Sequence, residues 1–221
     1  MKILGVIPAR GGSKRVPRKN MAIVGGKPLI KWTIEAAEQS GVLDQIVVTT
    51  EDPEIGNVFP QYWHKRPISL AQDNTPTLPV IQEVFEHYKA DVVVTLQPTS
   101  PFRTAEDIKQ AIELLQHTKG DSVISVTEAP SDLAFEVGFA NRLRTVPKIV
   151  IPNGAIYILT GEALLRGETW YSGVVYGYSM PKERSLYIDN GQDLEIARYI
   201  ANNNPPWLTP WFGARNSGSQ N

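Results

Sequence analysis

The 221-residue chain contains no cysteine. Disulfide staples and thiol chemistry are therefore excluded, an absence that fits a reducing compartment and leads us to expect a cytoplasmic protein. No run of about 18 or more apolar residues occurs, so no transmembrane helix is expected. The opening residues, MKILGVIPAR, have neither a long apolar segment nor a small-residue cleavage site, and no export leader is expected. Charge of one sign is not in excess: 22 Lys+Arg against 23 Asp+Glu give a formal net charge of −1. Non-specific nucleic-acid binders are usually basic overall, which makes that class the weakest reading. Histidine is scarce. His64, His87 and His117 are scattered, none at metal-ligand spacing from another, and no Ser/His/Asp set is visible from spacing.

Two familiar glycine signatures are missing as well. GxGxxG does not follow the first apolar run, and GxxxxGK[ST] is absent. Lys27 does follow Gly25-Gly26, but Pro28 replaces the hydroxyl residue that would hold magnesium. What the sequence does have is IPARGGSKRVPRKN at 7–20, directly after the apolar run Ile3-Leu4-Gly5-Val6-Ile7. A glycine bend exposes backbone N–H groups, and Arg10, Lys14, Arg15, Arg18 and Lys19 add charge beside it. Together they suit a polyphosphate at the end of a strand. A solvated basic loop is the plainer alternative.

Hydrophobic residues make up 42% of the chain, enough for one large domain with a sizeable core. Apolar runs at 46–50, 91–97, 122–127, 153–159 and 173–179 read as strands. Helical periodicity appears at 27–40, through Leu29, Ile30, Thr33, Ile34 and Ala37, and again at 77–89. Thr104 reads as a cap, followed by an inward stripe of Ile108, Ala111, Ile112 and Leu115, with Gly120 ending that helix. A last helix is expected from Asp193 to Ala201. Segments 21–26, 54–75 and 128–152 look irregular, and the tail from Asn202 looks loose, with Trp207, Trp211 and Phe212 free to dock. Strands alternating with helices imply a mostly parallel sheet covered on both faces. Ligands bind such sheets beyond the carboxyl ends of the strands. Gln97-Pro98-Thr99-Ser100-Pro101 lies at such an end, as does the basic loop, and the two form one cleft if their strands are close. Ser13 and Ser100 are read as turn residues in those loops.

Four segments taken in order, IPARGGSKRVPRKN, RPISLAQD at 66–73, LQPTSPFR at 96–103 and NGAIYI at 153–158, resemble the acylneuraminate cytidylyltransferases, the CMP-sialic acid synthetases. The resemblance covers roughly residues 2–201, read as a single nucleotidyltransferase domain. It implies an α/β, Rossmann-like, three-layer nucleotidyltransferase (nucleotide-diphospho-sugar transferase) fold. It also implies transfer of CMP from CTP to the anomeric hydroxyl of a nonulosonic acid, with release of pyrophosphate and use of magnesium. Legionaminic acid synthetases look similar, so the sugar stays open, with an octulosonic acid ranked lower. By the same resemblance, Arg10 and Lys19 are the catalytic cations. Ala9, Gly11, Gly12, Ser13, Asn20, Arg66 and Thr77 join Arg10 around the nucleotide. Gln97, Tyr157, Trp170 and Tyr171 fall at the sugar. Taken alone, Arg66 is more simply a surface cation before Pro67, Gln97 a solvated loop residue and Tyr157 a core tyrosine, and Trp170 and Tyr171 suit simple packing.

The chain departs from the family in two places. Most relatives carry Asp-Ile-Asp near the C-terminal end, where this chain reads Tyr187-Ile188-Asp189. Alternation puts Tyr187 and Asp189 on one face of an extended segment, which leaves Asp189 as the single metal carboxylate. Magnesium often uses only one or two protein carboxylates, with phosphate oxygens and water completing its shell. The loss also fits a homologue that binds nucleotide or sugar with impaired catalysis. Asp193 and Glu195 read as first-turn helix residues. The second departure is a shortened insert at about 128–152, a segment that in relatives reaches across a homodimer. Arg142, Arg144 and Lys148 are its candidate cations, and solvated charges are the plainer reading.

Overall fold

The computed structural model describes residues 1–129, 134–137, 143–146, 149–167, 169–171 and 173–208, with the backbone path alone for 134–137 and 143–146. The chain begins with β1 (Ile3–Pro8), a 3-10 turn at Lys19–Met21, the short strands β2 (Ile23–Val24) and β3 (Lys27–Pro28), and α1 (Leu29–Ser40). β4 (Gln45–Thr50), α2 (Pro53–Val58), β5 (Trp63–Lys65), α3 (Thr77–Tyr88), β6 (Val92–Leu96) and α4 (Ala105–Thr118) follow. Then come β7 (Ser122–Glu128), β8 (Ala134–Val137), β9 (Leu143–Val146), β10 (Val150–Thr160), α5 (Gly161–Arg166), β11 (Val175–Ser179) and α6 (Gly191–Asn203).

Seven strands form one sheet in the order β11-β7-β10-β6-β1-β4-β5. β1 pairs in parallel with both β4 and β6, β4 with β5, and β7 with β11. Among the described strands of this sheet, β10 alone runs antiparallel to its neighbours, β6 and β7. Ile3 and Ile7 of β1 face one side, where α1 and α4 pack through Ile30, Ile34, Ile108 and Ile112. Leu4 and Val6 face the other, against Ile81, Val84 and Phe85 of α3 and Leu164 of α5. This alternation, with apolar residues on both faces of the central strands, is what a helix-covered parallel sheet requires. A third cluster lies outside the sheet, where Trp32 and Phe102 meet edge to face at 5.5 Å beside Ile188 and Leu194.

The next strand of this sheet after β1 is β4, on one side, while β6 returns to the other. The order of the sheet therefore reverses at β1/β6, and the loops leaving their carboxyl ends open a crevice there. That crevice joins the two loops expected to share a cleft.

Several local expectations change. Segment 21–26 is a hairpin: Gly25 and Gly26 have φ of 59° and 82°, as a two-residue type I′ turn needs, and Lys27-Pro28 pairs with Ile23-Val24 instead of starting the helix. Segment 54–75 holds α2, β5 and a 3-10 turn at Ile68–Leu70. Segment 128–152 holds the antiparallel pair β8/β9 and the start of β10. α4 ends at Thr118 with Lys119 left-handed at φ 52°, so Gly120 is not its cap. Of the tail from Asn202, α6 runs to Asn203, Leu208 is buried, and the Trp207 ring lies 5.8 Å from that of Phe102. Trp211 and Phe212 lie outside the described residues.

Candidate active site

The crevice is a cleft of about 290 Å³. Its wall begins at Pro8, the last residue of β1, and continues into the basic loop. The loop is held in shape by its own polar groups. The Asn20 side-chain amide donates to the Arg10 carbonyl (2.9 Å) across its base. Gly11 N–H donates to Glu51 Oε1 (2.8 Å), and a Cβ on Gly11 would sit 2.5 Å from the Asp52 carboxylate, so only glycine fits there. Arg18 adopts φ 54° ahead of the 3-10 turn that carries Lys19 and Asn20 into the wall.

Lys19 reaches across to the segment before α6, where its Nζ donates to the carbonyls of Ile188 (2.8 Å) and Asp189 (3.2 Å). Partial burial lowers its pKa from the usual 10.5; the charge of Asp189 opposes the shift and that of Arg15 adds to it. Arg66 follows β5 and is 4% exposed, which excludes the surface reading. Its Nη2 donates to Thr49 O at 2.7 Å, and its Nε lies 3.3 Å from Thr49 Oγ1. Burial lowers its pKa too, with Glu51 opposing. Thr77 is the first residue of α3, so the positive end of that helix opens on the cleft. The remaining cations pair with carboxylates around the mouth: Arg15 with Asp189, Lys14 with Asp73 at 2.6 Å, Arg18 with Glu54 and Asp52. Arg10 Nη1 touches Asp73 only loosely, at 3.4 Å.

The opposite wall is the loop after β6. Arg103 fixes it from beneath. Fully buried, its guanidinium donates to Ala155 O (2.9 Å), Thr33 Oγ1 (2.8 Å) and the Gln97 carbonyl. Burial pushes its pKa down to about 9, with Asp107 opposing, so the charge persists at neutral pH. Gln97, Thr99, Tyr187 and Asp189 complete the cleft. A second cavity of about 340 Å³ adjoins it, sharing Gln97 and Tyr187 and lined further by Thr127, Ile151, Pro152 and Tyr157. Burial, with Tyr171 and Tyr187 nearby, pushes the Tyr157 pKa up to about 12 and keeps its hydroxyl protonated.

The first cleft thus brings together Arg10, Ser13, Lys19 and Asn20 from one loop with Arg66, Thr77, Gln97 and Asp189. Gln97 also reaches the second cavity, with Tyr157. Ala9 is buried behind the wall, its N–H donating to Thr49 O (3.0 Å); Gly11 and Gly12 line neither space. Trp170 packs beside Tyr157, ring centroids 5.0 Å apart, against the cluster of Leu4 and Phe85. Tyr171 is exposed and lines neither. Asp193 accepts from the N–H groups of Asp189 and Asn190, and Glu195 pairs with Arg198. Arg142 and Lys148 lie outside the described residues, as does the Arg144 side chain. His64, by contrast, comes within 5.3 Å of His87, ring to ring, and its Nε2 meets Glu83 at 3.0 Å. Asp73 and Arg103 lie inside the segments RPISLAQD and LQPTSPFR, yet neither is marked as a site residue in the sequence, because facing a cleft or burying a charge leaves no mark on local composition.

The donors present fit a magnesium ion only if phosphate oxygens supply most of its shell. Among the described residues no three metal-ligating side chains cluster, and Asp189 is the carboxylate on the wall opposite the basic loop.

Residues 4–147 match the sequence profile of the cytidylyltransferase family. The chain is 37% identical over 199 residues to the CMP-N,N'-diacetyllegionaminic acid synthase of Legionella pneumophila, covering 78% of this chain and 84% of that protein. It is 34% identical over 214 residues to the N-acylneuraminate cytidylyltransferase of Escherichia coli, covering 89% of this chain and 51% of that one. With the pseudaminic acid cytidylyltransferase of Campylobacter jejuni it shares 32% over 223 residues, covering 90% and 96%. Its fold matches a solved CMP:2-keto-3-deoxy-manno-octonic acid synthetase complexed with CTP, with TM-score 0.75 at 18% identity, over 93% of this chain and 100% of that one.

Proposed function

Because the chain belongs to the cytidylyltransferase family, we propose that it transfers CMP from CTP to the anomeric hydroxyl of an N-acylneuraminate or related nonulosonic acid. One observation carries this reading: a cation-walled cleft and a second cavity free of Lys and Arg among its described lining residues adjoin through Gln97 and Tyr187. A triphosphate fits the first and a sugar acid the second, so that the hydroxyl can meet the α-phosphorus at the junction.

The anomeric oxygen attacks the α-phosphorus and gives its proton to solvent water, the bond to the bridging oxygen breaks, and pyrophosphate leaves with the electron pair. Positioning and charge neutralisation carry most of such a step. Lys19, braced on the Ile188 and Asp189 carbonyls, neutralises charge growing on the leaving group, and Arg10, loosely held, is free to follow the phosphates. Arg66, Asn20 and Ser13 hold the nucleotide with Thr77 at the positive end of α3. Gln97 and Tyr157 orient the sugar. Magnesium would be held by Asp189 and would supply further neutralisation of the phosphates. That pairing needs Arg15 to release the carboxylate.

We further read the protein as a cytoplasmic homodimer, the compartment following from its need for CTP. No described helix is long and apolar enough to cross a membrane. Exposed Ile149, Val150 and Ile151 at the start of β10 support a subunit interface. A second reading, nucleotide binding with impaired turnover, is favoured by Tyr187 replacing a carboxylate. Purified protein with CTP, magnesium and a panel of nonulosonic acids separates the two. Pyrophosphate release with at least one acid is expected; CTP binding without release from any of them leaves only the second reading.

A further inference from the structure

Tyr187 and Gln97 are the two side chains that line both spaces. The Tyr187 ring is seated on Gly154, where a Cβ would come within 2.9 Å of the ring Cδ2. Gly154 itself has φ +77° and lies where the β7/β10 register slips, so the backbone of β10 is displaced at the point that receives the ring. The residue after Tyr187 keeps the ring in place. Ile188 is fully buried, its N–H donates to Thr99 O (2.8 Å), and its carbonyl accepts from Lys19. A half-exposed aromatic ring is thus clamped between the basic cleft and the second cavity.

The second cavity offers neutral contacts. Among its described lining residues there is no Lys or Arg. The Asn153 amide is occupied by Ser125, Ser185 and Ala155. Thr127 Oγ1 is buried with no hydrogen-bond partner among the described residues. Ile151, Pro152 and the Tyr157 and Tyr187 rings supply the apolar surface.

Resting on the proposed function, we propose that Tyr187 is a specificity-determining residue: its ring is the wall across which the acceptor faces the nucleotide. It selects a C–H-rich sugar face, such as that bearing an N-acyl group, over a hydroxyl-bearing one. The proposed contact is through the ring face and its dispersion, and Tyr187→Phe, which keeps the ring and removes the hydroxyl, separates the two.

The test compares wild type, Tyr187→Ala and Tyr187→Phe in steady-state pyrophosphate release, using an N-acylated nonulosonic acid and the analogue with a hydroxyl in place of the acylamino group. Tyr187→Ala is expected to raise KM for the acylated acid about tenfold, leave KM for CTP within about twofold, and narrow the preference over the hydroxyl analogue. Tyr187→Phe is expected to behave as wild type in all three. The inference is overturned if Tyr187→Ala leaves the acceptor KM unchanged, if it weakens CTP equally, or if Tyr187→Phe fails like alanine. An inactive wild type sinks the functional reading and this inference with it; an active wild type with an unaffected variant sinks the inference alone.

Discussion

Lys19 holds a positive charge in a place that resists one. Burial favours the neutral amine, so the proton leaves below the ordinary lysine value of 10.5. If its charge assists the leaving group, activity falls on the alkaline side before that value. A pH–kcat profile of wild type should show this limb, and Lys19→Arg, permanently charged, should lose it. Lys19→Met should lower kcat about a hundredfold, near the 3 kcal/mol scale of one lost charge-stabilising donor, while CTP binding is measured separately by titration. Lys19 and Arg10 were legible because a glycine bend and a dense run of cations are local features. Their partners were not. The carboxylates that Lys14 and Arg15 meet, Asp73 and Asp189, come from segments 59 and 174 residues away in the chain.

At the scale of one element, α4 shows how a start signal becomes a tertiary joint. Thr104 accepts from Asp107 N–H, and Asp107 returns the bond to Thr104 N–H, completing a capping box. Thr104→Ala should cost about 1 kcal/mol by chemical denaturation. Asp107 does more, because Arg184 donates to both its oxygens (2.7 and 3.0 Å) and Tyr178 O–H to one (3.0 Å). Burial alone would raise this carboxyl, but the bonds from Arg184 and Thr104 and the Arg184 charge outweigh it and hold the pKa below 3.8. The folded state therefore binds this proton less readily than the unfolded chain. The stabilisation is complete above the unfolded value and is lost as pH falls through the folded one. Asp107→Asn should flatten the acid limb of a melting-temperature profile. The cap was readable from Thr104 and the acidic first turn; the Arg184 clamp, 77 residues on, was not. α2 and α5, six residues each, are too short to show a helical period at all.

For the whole molecule, the sheet leaves an apolar strip at the start of β10, with Val150 44% exposed. If that strip is the seam of a homodimer, Val150→Asp should shift the sedimentation mass from two chains to one, without lowering the melting temperature of the monomer unit. A wild type that sediments as a monomer at all concentrations would remove the dimer from the proposal. The alternation of apolar runs and amphipathic segments announced a covered, mostly parallel sheet, and the sheet has that form. The reversal of β10 was invisible, since an apolar run reads the same in either direction; only its pairing with β6 and β7 defines it.

The sequence by itself determined the strands and helices whose apolar spacing is regular, the cationic glycine loop, and the four segments that mark the family. Each depends on residues near one another in the chain, where periodicity, capping and turn chemistry act. The tertiary structure alone decided that β1 and β6 lie side by side, that Arg66 and Arg103 are buried, and that Tyr187 stands between two cavities. Those facts depend on which surfaces exclude water together, and long-range packing sets that after local preference has chosen the elements.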